Sequence, residues 1–175
     1  MPAPVYSCWN GATGSITTGP VATQATGATS GTARTMLQIQ TASTTSIRVI
    51  EWGYTFDTAP TNNVRVELID TGTVAATGLT AHVAAGIAKV NVPSGAASTV
   101  SLGTGATGYS AGSSTEGTIT TPRLLDYHYE NGLYYVKYSP LGREWEVPAG
   151  NVLRVRATPT SAAAVNISVW VTWEE

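Results

Sequence analysis

Asp126, His128 and Glu130 fall at i, i+2 and i+4 near the end of the stretch Ile119–Glu130. On a strand that spacing puts all three side chains on one face. Acid, imidazole and acid on one face can hold a metal or move protons. The competing reading is the wet face of an amphipathic strand whose other face carries Leu125, Tyr127 and Tyr129. Strand alternation gives that pattern without any function, so we take the second reading. His82 stands alone in an Ala-rich stretch with no ligand partner near it in sequence.

Other constellations fail on geometry. Glu144 and Glu146 flank Trp145, as in some sugar sites. Residues two apart on a strand lie roughly 6–7 Å apart along it and face the same way. A glycosidase needs its carboxylates on opposite sides of the scissile bond. Gly103-x-Gly105-x-x-Gly108 is followed by a Thr/Ser-rich loop and not by a helix, so it cradles no phosphate. No Ser has a nucleophile-elbow context. Cys8 is the single cysteine, which rules out an internal disulfide and reads as a small, partly buried hydrophobe. We expect no enzyme, no cofactor and no metal.

The aromatic residues point elsewhere. Trp52 and Trp173 fit core positions. Trp170 lies on the face opposite the apolar row of the C-terminal strand, and Trp145 sits in a polar segment. An outward Trp marks an interface or a ligand, although a strand buried on both faces would also take Trp170 inside. Tyr6 and Trp9 precede a stretch of Gly, Ala, Thr and Ser from Gly11 to Gly31. That stretch cannot offset its own ordering entropy. We read residues 1–33 as an arm that orders on a neighbouring subunit, with Tyr6 and Trp9 as anchors; the alternative is a disordered tail.

Composition agrees with a life against other protein. Only 11 % of the residues are charged, against about a quarter in an ordinary domain. A Thr/Ala surface is cheap to desolvate, and interface cores are depleted in Lys, Glu and Asp. A formal net charge of -2 gives no attraction to nucleic acid or to an acidic membrane. No run approaches the roughly 20 apolar residues of a membrane helix. The N-terminus lacks the features of a signal peptide, so synthesis and use without Sec export are expected.

Residues 34–175 must supply the elements. Ile47 and Val49 alternate with Arg48, then Ile50, Trp52, Tyr54 and Phe56 share the other parity, which suggests a β-bulge near Ile50–Gly53. Val64, Val66 and Leu68 alternate, as do Leu153 and Val155, and Val165 through Trp173 most clearly. Leu79–Val92 is either a short helix or an irregular crossover. Asn131-Gly132 is the strongest hairpin signal and joins Leu124–Glu130 to Leu133–Tyr138. Some eight short strands with Gly/Pro turns predict an all-β sandwich or barrel.

Three segments carry a resemblance. They are Ser101–Tyr109 with Thr115–Ile119, Pro140–Gly150, and the ending Ala163–Asn166 with Val171–Glu175. From about Arg34 onward the chain resembles head decoration (cement) proteins of actinobacterial tailed phages and prophages. The resemblance implies a jelly-roll-like antiparallel β-sandwich, commonly trimeric, that clamps the major capsid protein from outside the virion. The arm and its role on the capsid are our addition. The expected function is a structural protein on the capsid exterior, synthesised in the host cytoplasm, with interface residues Tyr6, Trp9, Trp145 and Trp170. A carbohydrate- or receptor-binding β-sandwich of a virion or tail is the alternative, motivated by Trp145, Trp170 and the aromatics of Tyr134–Tyr138, on which sugars can stack.

Overall fold

Period-two alternation dominates the chain, and strands follow it. The computed structural model describes residues 3–11, 24–26, 29–91, 94–110, 113–162 and 164–175. Among them the strands are β1 (Val5–Trp9), β2 (Gln24–Ala25), β3 (Arg34–Gln40), β4 (Ile47–Phe56), β5 (Val64–Asp70), β6 (Thr80–Ala81) and β7 (Ala88–Lys89). They continue as β8 (Gly108–Tyr109), β9 (Arg123–Glu130), β10 (Tyr134–Tyr138), β11 (Trp145–Val147), β12 (Val152–Pro159) and β13 (Asn166–Glu174). Two antiparallel sheets pack face to face. The first runs β10-β4-β13-β1-β7, with β11 also on β4 and β2 also on β13. The second runs β6-β8-β3-β12-β5-β9. The chain is an all-β sandwich.

The core comes from the inward rows. β13 buries Ile167, Val169, Val171 and Trp173 and leaves the alternate residues at the outer face. Trp52, Tyr54 and Phe56 of β4 meet Val64, Val66 and Leu68 of β5 within one cluster. The parity change in β4 is a bulge at Ile50. Trp173 pairs with Val49 and Thr172 with Glu51, which leaves Ile50 as the extra residue. The bulge has a consequence at the sheet edge. β10 pairs with Glu51–Thr55 on one side of it, and β11 with Ile47–Val49 on the other. The connecting loop, residues 139–144, therefore leaves the sheet there.

The N-terminal expectation is corrected in part. β1 lies inside the first sheet, between β13 and β7, with Tyr6 opposite Trp173 and Trp9 opposite Trp170. Tyr6 and Cys8 point into the core because they hold the apolar parity of a five-residue strand. Residues 5–9 thus belong to the sandwich and not to an arm. Most of the Gly/Thr-rich stretch, residues 12–23 and 27–28, lies outside the described residues. Leu79–Val92 is an irregular crossover: β6, one 3₁₀ turn at Ala84–Gly86, then β7.

The outer face of the second sheet hides much of the little charge there is. Arg154 is fully buried, and its guanidinium donates to Glu116 Oε2 at 3.2 Å, to Glu116 O at 2.9 Å and to Val74 O. Glu116 also accepts from Thr35 N and Thr35 Oγ1, each at 2.7 Å, and from Ser114 Oγ at 2.8 Å. Next along the face, Arg156 and Arg65 both pair with Glu67, which is itself buried. The loops carrying Val74 and Glu116 are held onto the sheet by these bonds.

Candidate interaction surface

Asn131-Gly132 joins two sheets and is not a hairpin. A type I′ turn needs positive φ at both central residues, and neither residue has it. β9 extends the second sheet beside β5, and β10 extends the first beside β4. Their inward side chains explain the split. Asp126 Oδ2 accepts from Trp52 Nε1 at 3.1 Å and from Tyr135 OH at 2.8 Å. His128 stacks on Tyr135 with ring centroids 4.2 Å apart, and its Nδ1 lies 3.3 Å from Tyr54 OH. A two-strand hairpin would leave these groups unable to clasp the edges of two different sheets.

The clasp reverses the expected faces of β9. Asp126 and His128 look inward and are half-buried, while Tyr127 and Tyr129 are exposed. The parity is set by a second bulge, at Leu125: Leu68 pairs with Asp126 and Ile69 with Leu124. Leu125 packs against the core. The side chain of Glu130 lies outside the described residues. Among the described residues no three metal-ligating side chains come together. What Asp126 and His128 do here is tie one sheet edge to the other.

Outside that clasp lies an apolar flank. Among the described residues the exposed large apolar side chains are Leu124, Tyr127, Tyr129, Leu133, Tyr134, Tyr138 and Leu141, with Val83, Val90 and Leu102 elsewhere. Seven of these ten fall in one 18-residue stretch that forms a single edge of the sandwich. Tyr134 is 72 % exposed, Tyr138 65 % and Leu141 97 %. Leu141 sits at the tip of a turn closed by Arg143 N donating to Pro140 O at 2.9 Å. Gly142 has φ +75°, as the third position of a type II turn requires.

Glu144 holds that turn. Gly142 N donates to Glu144 Oε1 at 2.8 Å. Hydrogen bonds from its own amide and from Gly142, with the positive charge of Arg48, hold the Glu144 carboxyl below its usual range. A depressed pKa in the folded state means that the support is present above the unfolded value. It is lost as the pH falls through the folded one. We expect Gly142 and Leu141 NMR signals to shift with a sub-normal acid midpoint, and Glu144→Gln to abolish that transition while the core signals stay put.

No protein-family model, curated protein or solved structure matches this chain. The residues must therefore speak for themselves. Of the four interface residues expected from sequence, Tyr6 is 2 % exposed, so it anchors nothing outside. Trp145 pairs opposite Val49 and packs against the core at its margin, because β11 shares the inward parity of Ile47 and Val49. Trp170 and Trp9 do stand on the outer face of the first sheet, side by side and partly covered. Trp170 lies over Gly53 and donates from Nε1 to Glu51 Oε1 at 2.6 Å. The sequence reading took Tyr134–Tyr138 only as sugar-stacking aromatics and missed Tyr127, Tyr129 and Leu141 beside them. A signal was present: a Tyr-rich strand pair beside a Pro-Leu-Gly turn.

Proposed function

We propose that this chain is a structural protein of a tailed-phage virion that binds and stabilises the outer surface of the capsid. The observation that carries this reading is the concentration of exposed tyrosine and leucine side chains on the β9–β10 flank of a low-charge sandwich. Large exposed apolar patches mark protein interfaces, and Tyr is enriched in their cores. The sequence resemblance supplies the capsid as partner. Many copies binding only the assembled shell would stabilise it by mass action.

The test is cosedimentation of the protein with undecorated phage heads, followed by heating of the decorated particles. Binding with raised thermal resistance is expected, and Leu141→Asp should weaken binding at least tenfold because it puts a charge at the most exposed apolar tip. Heads that neither bind the protein nor gain resistance overturn the capsid reading. A second reading, a carbohydrate- or receptor-binding module, is favoured by Tyr134 and Tyr138, since sugars stack on exposed aromatic rings. A glycan-array signal lost in Tyr134→Ala, with no binding to heads, would put it first.

A further inference from the structure

Two strand edges border the flank, and they are treated differently. β9 carries the Leu125 bulge and the charged residues Arg123, Asp126 and Glu130. Bulges and charges discourage edge pairing. β10 reads Tyr134-Tyr135-Val136-Lys137-Tyr138, with no bulge, no proline and one charge. Its ladder with β4 fixes which backbone groups look outward. Phe56 N donates to Leu133 O at 2.8 Å, and Ser139 N donates to Ile50 O at 2.7 Å. Antiparallel ladders alternate. Tyr135 and Lys137 therefore continue the bonds to β4, and Tyr134, Val136 and Tyr138 turn their N–H and C=O groups to the free edge. Among the described residues no strand pairs with that edge.

We propose that two copies of this chain associate through β10, antiparallel, about a two-fold axis at Val136. The edge is complementary to itself in that register. Val136 exchanges both backbone bonds with Val136 of the second copy. Tyr134 faces Tyr138 of the second copy, and Tyr138 faces its Tyr134, so each outward donor and acceptor of the three residues is paired. The same three side chains share the outer face, which gives two aromatic cross-strand pairs around a Val–Val contact. On the inner row, Lys137 comes opposite the Tyr135 of the second copy, within reach of a cation–π contact.

At the roughly 200 Å² an aromatic side chain buries, the exposed fractions of Tyr134 and Tyr138 leave about 270 Å² of tyrosine surface per chain on this face. Leu133 and Leu141 add to it, toward the roughly 800 Å² per partner of a standard interface. An unrelated extended peptide would pair the backbone but would not match the palindromic Tyr-x-Val-x-Tyr row. The contact is isologous, so it closes at two chains and does not run on into fibres. It differs from the trimer that the sequence resemblance implies, and it does not rest on the capsid reading.

The experiment is light scattering of the purified full chain over a dilution series. A mass of two chains that falls to one on dilution is expected. Val136→Pro removes only an outward donor and leaves the β4 ladder whole; Val136→Lys sets two like charges at the axis. Both should weaken association at least tenfold while circular dichroism keeps the strand signal. Should neither variant fold, Val136→Cys decides. Added diamide should link two chains through it, because Cys8 is buried and its thiol is pushed up by burial. A one-chain mass at every concentration, a three-chain mass, or a dimer untouched in the folded variants overturns the proposal. Binding to phage heads is read separately, so either idea can fail without the other.

Discussion

Glu116→Gln should cost about 3 kcal/mol of unfolding free energy, the loss typical when one partner of a buried ion pair is removed. Arg154 has no exposed surface, and burial already lowers its pKa, with Glu116 opposing that shift. Without the carboxylate its charge stays buried. Thr35 N and Thr35 Oγ1 also lose charged acceptors. Removing both charges together, in Glu116→Gln/Arg154→Met, should be milder than the sum of the single changes, because no uncompensated ion remains. Urea denaturation of the four proteins measures the cycle. A Glu116→Gln loss within about 0.5 kcal/mol, the range of ordinary surface changes, would mean that the loops over this face are held by something else.

The same network shows what the sequence could not reveal. Arg154 and Arg156 alternate with Leu153 and Val155, and alternation assigns them to water. The strand was legible, and so was its inward row. Its outward row is covered by loops far away in sequence, and loop placement has no period to read. β4 was legible for the opposite reason. The parity change at Ile50 is written in the order of apolar residues, and the bulge falls there. Asn131-Gly132 misled because the dipeptide reports turn propensity, while the pairing was decided by Asp126, His128 and Tyr135 reaching Trp52 and Tyr54 between the sheets. With β9 turned over by its bulge, the tyrosines assigned to the interior became the surface. Tyr6 failed for a related reason: a short apolar alternation before a Gly-rich stretch looks like a tip, yet its partner strand is the last in the chain.

Gly53→Ala should be among the most damaging single methyl additions in the first sheet. Its φ is not positive, so the backbone accepts Ala and the cost is crowding alone. A Cβ at Gly53 would stand 2.5 Å from Trp170 Cζ2 and 2.6 Å from Tyr135 O. The indole is tethered at Glu51, and the carbonyl belongs to the β10 ladder. Neither is the loose end of a flexible chain. Overpacking of this kind costs about 3 kcal/mol at the upper end of its usual range. If the carbonyl yields, β10 moves off β4 and draws the Tyr135 ring away from Asp126 and His128. Trp170→Ala in the same chain should restore part of the loss, since it removes one of the two contacts and leaves the other. Thermal and urea midpoints of Gly53→Ala, Trp170→Ala and the double variant separate these contributions. A neutral Gly53→Ala would mean that β10 shifts freely on β4. The edge would then lose the fixed row of outward N–H and C=O groups on which pairing through Val136 depends.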